Sequence, residues 1–233
     1  MTVKIGVSMN YRLSDEGVQR AYLDSGYFDF LTEMGAVVVP ILPVDDAEAV
    51  GAVLDMVDGV LFTGGLDLDS QLWGEPLSEH AELLHPRRMK FEFKLYQMAK
   101  DRRLPIMGIC LGLQMICVAE GGKLYQHLPE DVSGVDHGQG PRVVNHYVKL
   151  TPDSRLAAAV AVDVINVMSA HHQGVAGIGG DLEVVGQTDD GVIEAVEMKD
   201  YPFLLAVQWH PEKKMNEEFD RKIVQAFLDA AIL

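Results

Sequence analysis

The sequence contains little cysteine, few basic residues and no long apolar run. Its two cysteines, Cys110 and Cys117, are too few for the disulfide framework of a secreted protein. Lysine and arginine together number 19 against 35 aspartates and glutamates, and the formal charge of −16 disfavours binding to nucleic acid or to an anionic membrane. No apolar run reaches the roughly 18 residues of a membrane span, and the N-terminus is typical of a strand rather than a signal peptide. We therefore expect a cytoplasmic protein that binds neither nucleic acid nor membranes.

Strand-like and helix-like segments alternate along the first half of the chain. The predicted strands cover residues 3–9, 36–42, 59–63 and 104–109, and the predicted helices cover residues 27–34, 47–57, 86–100 and 111–120. Continuous apolar strands separated by helices predict a parallel sheet that is covered by helices on both faces.

Short strands joined by turns dominate the second half. They are predicted at residues 146–150, 162–168, 182–188, 192–197 and 204–209, with a hairpin turn at Asp189-Asp190-Gly191 and a last helix over residues 216–231. The whole pattern predicts an α/β fold with a mostly parallel central sheet, helices on both faces and a small antiparallel β element in the second half. Because no linker, repeat or low-complexity tract interrupts the 233 residues, a single domain over residues 1–233 is expected.

A cysteine stands between a predicted strand and a predicted helix, in the sequence Gly108-Ile109-Cys110-Leu111-Gly112. Small residues two positions before and after Cys110 permit a sharp turn that exposes a nucleophile. The helix that follows would point free N–H groups at the sulfur, which favours a thiolate and stabilises an oxyanion. The alternative is a buried structural cysteine, which is our interpretation of Cys117, seven residues further on.

A histidine and a carboxylate follow the last predicted strand, in the sequence Gln208-Trp209-His210-Pro211-Glu212. Residues two apart in an extended chain point the same way, so His210 and Glu212 can face one site. A carboxylate that holds one imidazole nitrogen leaves the other free to accept a proton from the cysteine. For an isolated motif of this kind, an exposed histidine beside a solvated glutamate is the alternative.

The segments around Cys110 and His210 resemble the class I glutamine amidotransferase superfamily, which has a flavodoxin-like fold. Residues 62–69, Phe-Thr-Gly-Gly-Leu-Asp-Leu-Asp, and residues 169–173, Ser-Ala-His-His-Gln, resemble the γ-glutamyl-γ-aminobutyrate hydrolase branch of the γ-glutamyl hydrolase family, peptidase C26. The resemblance extends over nearly the whole chain. It departs at Leu111, where the hydrolase branch usually has arginine and true amidotransferases have leucine.

The resemblance implies a role for each matching residue. Cys110 would be the nucleophile, His210 the general base and acid, and Glu212 the carboxylate that orients it. The residues that it implies for the oxyanion hole or for substrate binding are Gly64, Gly65, Leu111, Gln114, His172 and Gln173. It implies no cofactor, and a thioester mechanism that releases glutamate and an amine from γ-glutamyl amides. The alternatives are a glutaminase subunit that delivers ammonia to a separate synthase, and a non-catalytic binding module on the same fold.

Other polar residues have no clear chemical pattern. Adjacent His171 and His172 point to opposite faces of a strand and have no acidic or cysteine residue at ligand spacing, so no metal site is predicted. His127, His137 and His146 are expected to be structural or exposed. The charged segment 75–92 is interpreted as a lid over the site or as a solvated surface. The amine leaving group, the partner of the substrate α-carboxylate and any homo-oligomer stay open.

Overall fold

Both halves of the chain contribute strands to one sheet in the computed structural model, which describes residues 2–139, 142–213 and 218–232. The strands of the first half are β1 (Lys4–Ser8), β2 (Asn10–Leu13), β3 (Gln19–Tyr22), β4 (Val37–Ile41), β5 (Gly59–Phe62), β6 (Ile106–Ile109) and β7 (Lys123–Tyr125). Those of the second half are β8 (Val144–Leu150), β9 (Val164–Ser169), β10 (Gly174–Gly177), β11 (Leu182–Gln187), β12 (Ile193–Met198) and β13 (Leu204–Val207).

The described residues contain seven α-helices, six between strands and one after the last strand. They are α1 (Ser25–Glu33), α2 (Ala47–Leu54), α3 (Pro86–Asp101), α4 (Leu111–Ala119), α5 (Leu128–Asp131), α6 (Arg155–Val160) and α7 (Glu218–Ala230). The start predicted for the last helix, at residue 216, lies outside the described residues. No helix in the described part of the chain is long and apolar enough to cross a membrane.

The centre of the sheet is parallel, in the order β4-β1-β5-β6-β13. Strands β5, β6 and β13 are buried along their whole length. Such strands need apolar residues at every position because helices cover both faces of the sheet. Along β5, Val60 and Phe62 pack with α2, α3 and α4, whereas Leu61 packs on the other face with α1, α6 and α7. The predicted α/β fold is confirmed.

The sheet continues beyond β13 with antiparallel strands, in the order β13-β12-β11-β8-β9. The antiparallel β element predicted for the second half is therefore an extension of the central sheet. The predicted turn at residues 189–191 does join two antiparallel strands, β11 and β12. A separate two-stranded sheet, β2 with β3, lies in the first half, where we had predicted no strands.

Three central parallel strands end side by side and place the candidate site. Strand β6 lies between β5 and β13, so the residues that follow these three strands meet at the carboxyl edge of the sheet. These are the residues around Gly64, Cys110 and His210. The carboxyl edge of a parallel sheet is the usual place for a ligand in an open α/β fold.

Candidate active site

Cys110 adopts a strained backbone conformation between β6 and α4. Its φ of 53° and ψ of −105° are unusual for a residue with a side chain. Gly108 and Gly112 permit the turn, because a Cβ at Gly112 would lie 2.5 Å from the carbonyl oxygen of Phe62, and one at Gly108 would lie 2.9 Å from the carbonyl carbon of Gly112. The turn places Cys110 directly before the N-terminus of α4, as the glycine spacing predicted.

His210 and Glu212 form a short hydrogen bond beside Cys110. The His210 Nδ1 atom lies 2.6 Å from Glu212 Oε1, and both side chains are buried. Burial by itself would lower the pKa of His210, but the charge of Glu212 and the interaction with Cys110 raise it to about 10. The structure therefore favours a protonated His210 between a carboxylate and the cysteine sulfur.

A chain of glutamine amides connects the cysteine to the segment after β9. Gln208 Nε2 donates to Cys110 Sγ at 3.5 Å. Gln114 Nε2 donates to Gln208 Oε1 at 3.2 Å and to the carbonyl oxygen of Gln173 at 3.1 Å. The amide nitrogen of Gln114, which the resemblance placed on the substrate, is therefore bonded within the protein. Gln208 is a contact of the cysteine to which the sequence assigned no role.

The backbone N–H groups expected in the oxyanion hole differ in their partners. The Gly64 N–H donates to the Tyr27 hydroxyl at 2.8 Å. Burial and the charge of Glu212 raise the pKa of Tyr27, so this hydroxyl is neutral. Leu111 is the first residue of α4, whose N–H has no partner within the helix. Within the described residues, the N–H groups of Leu111 and Gly65 are not bonded to protein and are free for an oxyanion. The N–H of Gly64 is already bonded to Tyr27.

A fully buried arginine lies beneath the Gly64-Gly65 turn. Arg88, near the start of α3, donates to Thr63 Oγ1 at 2.9 Å and to the Gly64 carbonyl oxygen at 3.0 Å. Its Nε atom donates to Glu92 Oε1 at 3.0 Å, one helical turn further on. Arg88 and Glu92 belong to the charged segment 75–92 that was expected to be a lid or a solvated surface. For these two residues the solvated-surface interpretation is wrong, because both are buried.

Cys110 lines two adjoining cavities. A cleft of about 430 Å³ holds His210 and Glu212 and is lined also by Tyr22, Asp24, Tyr27, Gly64 and Lys213. An adjoining recess of about 130 Å³ shares Cys110 and Gly65 with the cleft and is lined also by Asp67, Glu82, Gln114, His171, His172 and Gln173. The fold thus gathers in the recess Gly65, Gln114, His172 and Gln173, which the resemblance assigned to substrate or oxyanion binding.

Two neighbouring residues of the recess differ in their free hydrogen-bonding groups. His172 Nε2 lies 3.0 Å from both carboxylate oxygens of Asp67, and its Nδ1 lies 3.2 Å from Nδ1 of His127. The hydrogen bond with Asp67 raises the pKa of His172. The side-chain amide of Gln173 is buried and has no hydrogen-bond partner among the described residues. Gln173 therefore has free donor and acceptor groups, whereas both ring nitrogens of His172 are already bonded.

Histidines also gather at two places outside the catalytic cleft. His137, His146, His171 and Glu194 form one group with metal-ligand spacing, and His80, His127 and Glu130 form another. His127, His137 and His146 are all buried, so none of them is exposed on the surface. Spacing along the sequence offered no acidic partner for His171, but the fold supplies Glu194 from β12.

The parallel sheet, the cysteine turn and the adjacent His–Glu pair define a protein of the class I glutamine amidotransferase type. Residues 3–212 match the Peptidase C26 family, and the chain belongs to that family. The predicted family is confirmed.

Relatives and a solved structure agree with this assignment. The chain is 38% identical over 218 residues to a Mycobacterium tuberculosis protein named as a glutamine amidotransferase, covering 92% of this chain and 69% of that protein. It is 31% identical over 188 residues to the gamma-glutamyl-gamma-aminobutyrate hydrolase of Escherichia coli, covering 76% of this chain and 73% of that enzyme. A Thermoplasma acidophilum structure described as a GMP synthase subunit superposes with a TM-score of 0.70, covering 100% of this chain and 95% of that chain. That structure is only 18% identical, so it shows the fold alone.

Proposed function

We propose that the protein is a cysteine-dependent hydrolase of γ-glutamyl amides. The single observation that carries the proposal is that Cys110 lines both a small recess, which contains several polar side chains, and a wider cleft, which contains His210. The small recess suits the glutamyl group, and the wider cleft suits an amine leaving group. The relative named as a gamma-glutamyl-gamma-aminobutyrate hydrolase supports the same substrate class.

The reaction begins at the side-chain amide carbonyl of the bound glutamyl group. Cys110 Sγ attacks the carbonyl carbon, and the oxyanion that forms accepts hydrogen bonds from the N–H groups of Leu111 and Gly65. Protonated His210, on the cleft side, donates its proton to the amine nitrogen as the C–N bond breaks. The products of this half-reaction are a free amine and a γ-glutamyl thioester on Cys110.

Water completes the reaction. Neutral His210 removes a proton from a water molecule, which attacks the thioester carbonyl, and the C–S bond breaks to release glutamate. Glu212 holds Nδ1 of His210 and stabilises the imidazolium in both halves of the reaction. The same His210 Nε2 atom therefore serves as acid for the amine and as base for the water.

The recess contains groups that match the two charges of a glutamyl group. Asp67 and Glu82 place carboxylates there, and we assign to them the substrate α-ammonium. The unbonded amide of Gln173 donates to the α-carboxylate in this proposal. Since the protein carries a net charge of −16, a neutral amide donor gives that carboxylate a local partner without requiring a basic residue.

The proposal is tested with a panel of γ-glutamyl amides. Purified wild type, Cys110→Ala and Cys117→Ala are assayed for glutamate release from glutamine, a γ-glutamyl amino acid, a γ-glutamyl monoamine and a γ-glutamyl polyamine. We expect Cys110→Ala to lose about a thousandfold or more in rate and Cys117→Ala, a buried core substitution, to keep the activity. Absence of Cys110-dependent glutamate release from every substrate would overturn the proposal.

A glutaminase that passes ammonia to a separate synthase is the second candidate. The name of the 38% identical relative favours it, because that protein is named as a glutamine amidotransferase. The two candidates differ in their unaided activity. A stand-alone hydrolase prefers γ-glutamyl amines over glutamine and needs no partner. A glutaminase subunit acts on glutamine and has almost no activity without its synthase.

A further inference from the structure

Four buried residues from different parts of the fold meet beside the recess, which one of them, His171, also lines. His137 follows α5, His146 lies on β8, His171 follows β9 and Glu194 lies on β12. One ligand atom of each residue lies within 4.8 Å of the others. Because the chain brings together three imidazoles and one carboxylate with almost no solvent exposure, the cluster needs a physical explanation.

The facing atoms of this cluster lie close together but are poorly aligned for hydrogen bonds to one another. His137 Nδ1, both nitrogens of His146, His171 Nε2 and both oxygens of Glu194 are buried without a hydrogen-bond partner among the described residues. Glu194 Oε1 nevertheless lies 3.2 Å from His137 Nδ1, 3.4 Å from His171 Nε2 and 3.8 Å from His146 Nε2. Buried polar atoms at such distances are normally bonded to each other or to a shared third atom.

Hydrogen bonds to groups outside the cluster determine which ring nitrogen of His137 and of His171 carries the proton. The other nitrogen of each ring faces Glu194. His137 Nε2 lies 3.1 Å from Asp190 Oδ2, which accepts its proton. His171 Nδ1 lies 2.8 Å from the carbonyl oxygen of Gln173, which can only accept. In the neutral rings the inward nitrogens then carry lone pairs, and these face the carboxylate of Glu194. A carboxylate or carbonyl behind a histidine is the usual support for a histidine that binds a metal.

A divalent cation would also balance the charges in the cluster. Glu194 is fully buried, and the side chain of Asp190 is only 2% exposed. Two carboxylates and three neutral imidazoles carry two negative charges, which one divalent ion balances. Without such an ion, the histidines would have to take up protons to compensate the buried charge.

We propose that His137, His146, His171 and Glu194 bind one structural Zn²⁺ ion. Bond lengths of about 2.0–2.1 Å in a tetrahedral site place neighbouring ligand atoms about 3.3 Å apart. Glu194 Oε1 lies 3.2 Å and 3.4 Å from two of the histidine nitrogens, and the third, His146 Nε2 at 3.8 Å, would move inward to bind the ion. Nitrogen and oxygen ligands in tetrahedral order suit zinc. Four protein ligands fill the coordination shell, so the ion is structural and not catalytic.

The ion would hold the segment that lines the glutamyl recess. His171 belongs to that segment, which also contributes His172 and Gln173 to the recess. The carbonyl oxygen of His137 accepts hydrogen bonds from Ser169 Oγ at 2.7 Å and from the His171 N–H at 3.1 Å. These bonds connect the loop that contains His137 to the same segment. The metal site does not depend on what Cys110 does, since its ligands are outside the catalytic triad.

Metal content is measured on protein purified without a histidine tag or added chelator. Mass spectrometry of the metals should give about one equivalent of zinc per chain. Calorimetry should show a Tm several degrees lower for chelator-treated protein than for untreated protein. One equivalent of added Zn²⁺ should restore the Tm. Less than about a tenth of an equivalent of any transition metal, together with no saturable Zn²⁺ binding by the chelator-treated protein, overturns the proposal.

Two variants separate this cluster from the other histidine group. His146→Ala should lose the zinc, and His80→Ala, which removes a histidine from the group around His127 and Glu130, should keep it. Zinc retained by His146→Ala but lost from His80→Ala would overturn the assignment. If His146→Ala does not fold, cobalt(II) added to chelator-treated wild type provides the test. A tetrahedral site gives intense visible absorption, and a weak octahedral spectrum contradicts the proposal.

Discussion

Arg88 donates a hydrogen bond to the carbonyl oxygen of Gly64 at 3.0 Å from a position that has no solvent exposure. In a trans peptide the C=O and the following N–H point in opposite directions. Arg88 therefore fixes the direction of the Gly65 N–H, which we assign to the oxyanion hole. A Cβ at Gly65 would overlap Arg88 Nη1 and lie 2.7 Å from Leu111 Cδ2, so this close approach requires glycine.

Arg88→Met is predicted to reduce both stability and turnover. Loss of the Arg88 guanidinium leaves the Glu92 carboxylate buried without a counter-charge. Breaking a buried pair in this way costs about 3–5 kcal/mol of unfolding free energy. The substitution also removes the donors to Thr63 and Gly64. We expect kcat to fall by about tenfold or more, with a smaller change in KM.

The double variant Arg88→Met/Glu92→Leu separates these two effects. Replacing both members of a buried pair by apolar residues is often neutral for stability, so urea unfolding should recover most of the loss. The turnover number should stay low because Gly64 still lacks its donor. Recovery of full turnover together with stability would contradict a positioning role for Arg88.

The pKa of His210 leads to a second prediction, for Glu212→Gln. The pKa of His210 is raised to about 10 in the folded protein, above the value of about 6.5 that an unfolded chain has. Its stabilising contribution is therefore complete below pH ~6.5 and is lost as the pH rises towards ~10. Since the amide that replaces the Glu212 carboxylate carries no charge, the variant should lose less unfolding free energy than wild type between those pH values.

Urea unfolding at a series of pH values measures this slope, and Glu16→Gln, on an exposed turn, is the matched control. The catalytic rate of Glu212→Gln should fall by about a hundredfold to ten-thousandfold, because His210 loses its orientation and its charge partner. Equal alkaline slopes in wild type and Glu212→Gln would show that Glu212 does not set the protonation of His210.

Local motifs made part of the site predictable. The glycines around Cys110 and the two-residue spacing of His210 and Glu212 encode their geometry over a few residues. Arg88 and Glu92 were missed because an i,i+4 pair of opposite charges is typical of a solvated helix face. The Arg88–Glu92 pair is buried only because α3 packs against the Gly64-Gly65 turn.

Contacts between distant segments were not predictable in this way. Tyr27 lies 37 residues before Gly64, and nothing in its local sequence indicates that its hydroxyl accepts that N–H. The hairpin of β2 and β3 was missed because its strands are short and largely exposed, without a clear apolar alternation. The predicted strands were confirmed where the sequence is apolar throughout, as in β5, β6 and β13, or alternates in burial, as in β8 and β9.

A third prediction concerns recognition of the glutamyl α-ammonium. Glu82 is exposed at the recess, so its charge pair with the substrate is worth about 1 kcal/mol. Glu82→Gln should therefore raise KM about fivefold for γ-glutamyl amides, with little change in kcat. The α-N-acetylated substrate lacks the ammonium and should show no difference between the two proteins.

Glu79→Gln, a nearby exposed substitution that lines neither cavity, should behave as wild type. An unchanged KM in Glu82→Gln would remove Glu82 from the binding site. An equal rise of KM in both variants would indicate a general effect of surface charge instead of a specific contact.

The reactivity of the two cysteines gives a fourth prediction. Burial raises the pKa of the Cys117 thiol, which has no exposed surface, whereas Cys110 lines both cavities. Iodoacetamide should therefore alkylate Cys110 much faster than Cys117 in the native protein, as peptide mass spectrometry can measure. Both cysteines should react at similar rates in denaturant. Faster modification of Cys117 in the native state would argue for a non-catalytic binding module on this fold.

The net charge of −16 leads to a last prediction about the leaving group. A strongly acidic protein attracts cationic substrates, and the attraction weakens as salt screens it. Raising the ionic strength from about 0.01 M to about 0.15 M shortens the Debye length from about 30 Å to about 8 Å. We expect kcat/KM for a γ-glutamyl polyamine to fall several-fold over this range, while kcat/KM for a γ-glutamyl amide with an uncharged leaving group changes little.

Asp24 is exposed in the cleft that receives the leaving group, so Asp24→Asn should weaken the salt dependence, and Asp29→Asn on the outer face of α1 should not. The same salt dependence for both substrates would show that the acidic surface does not select the amine.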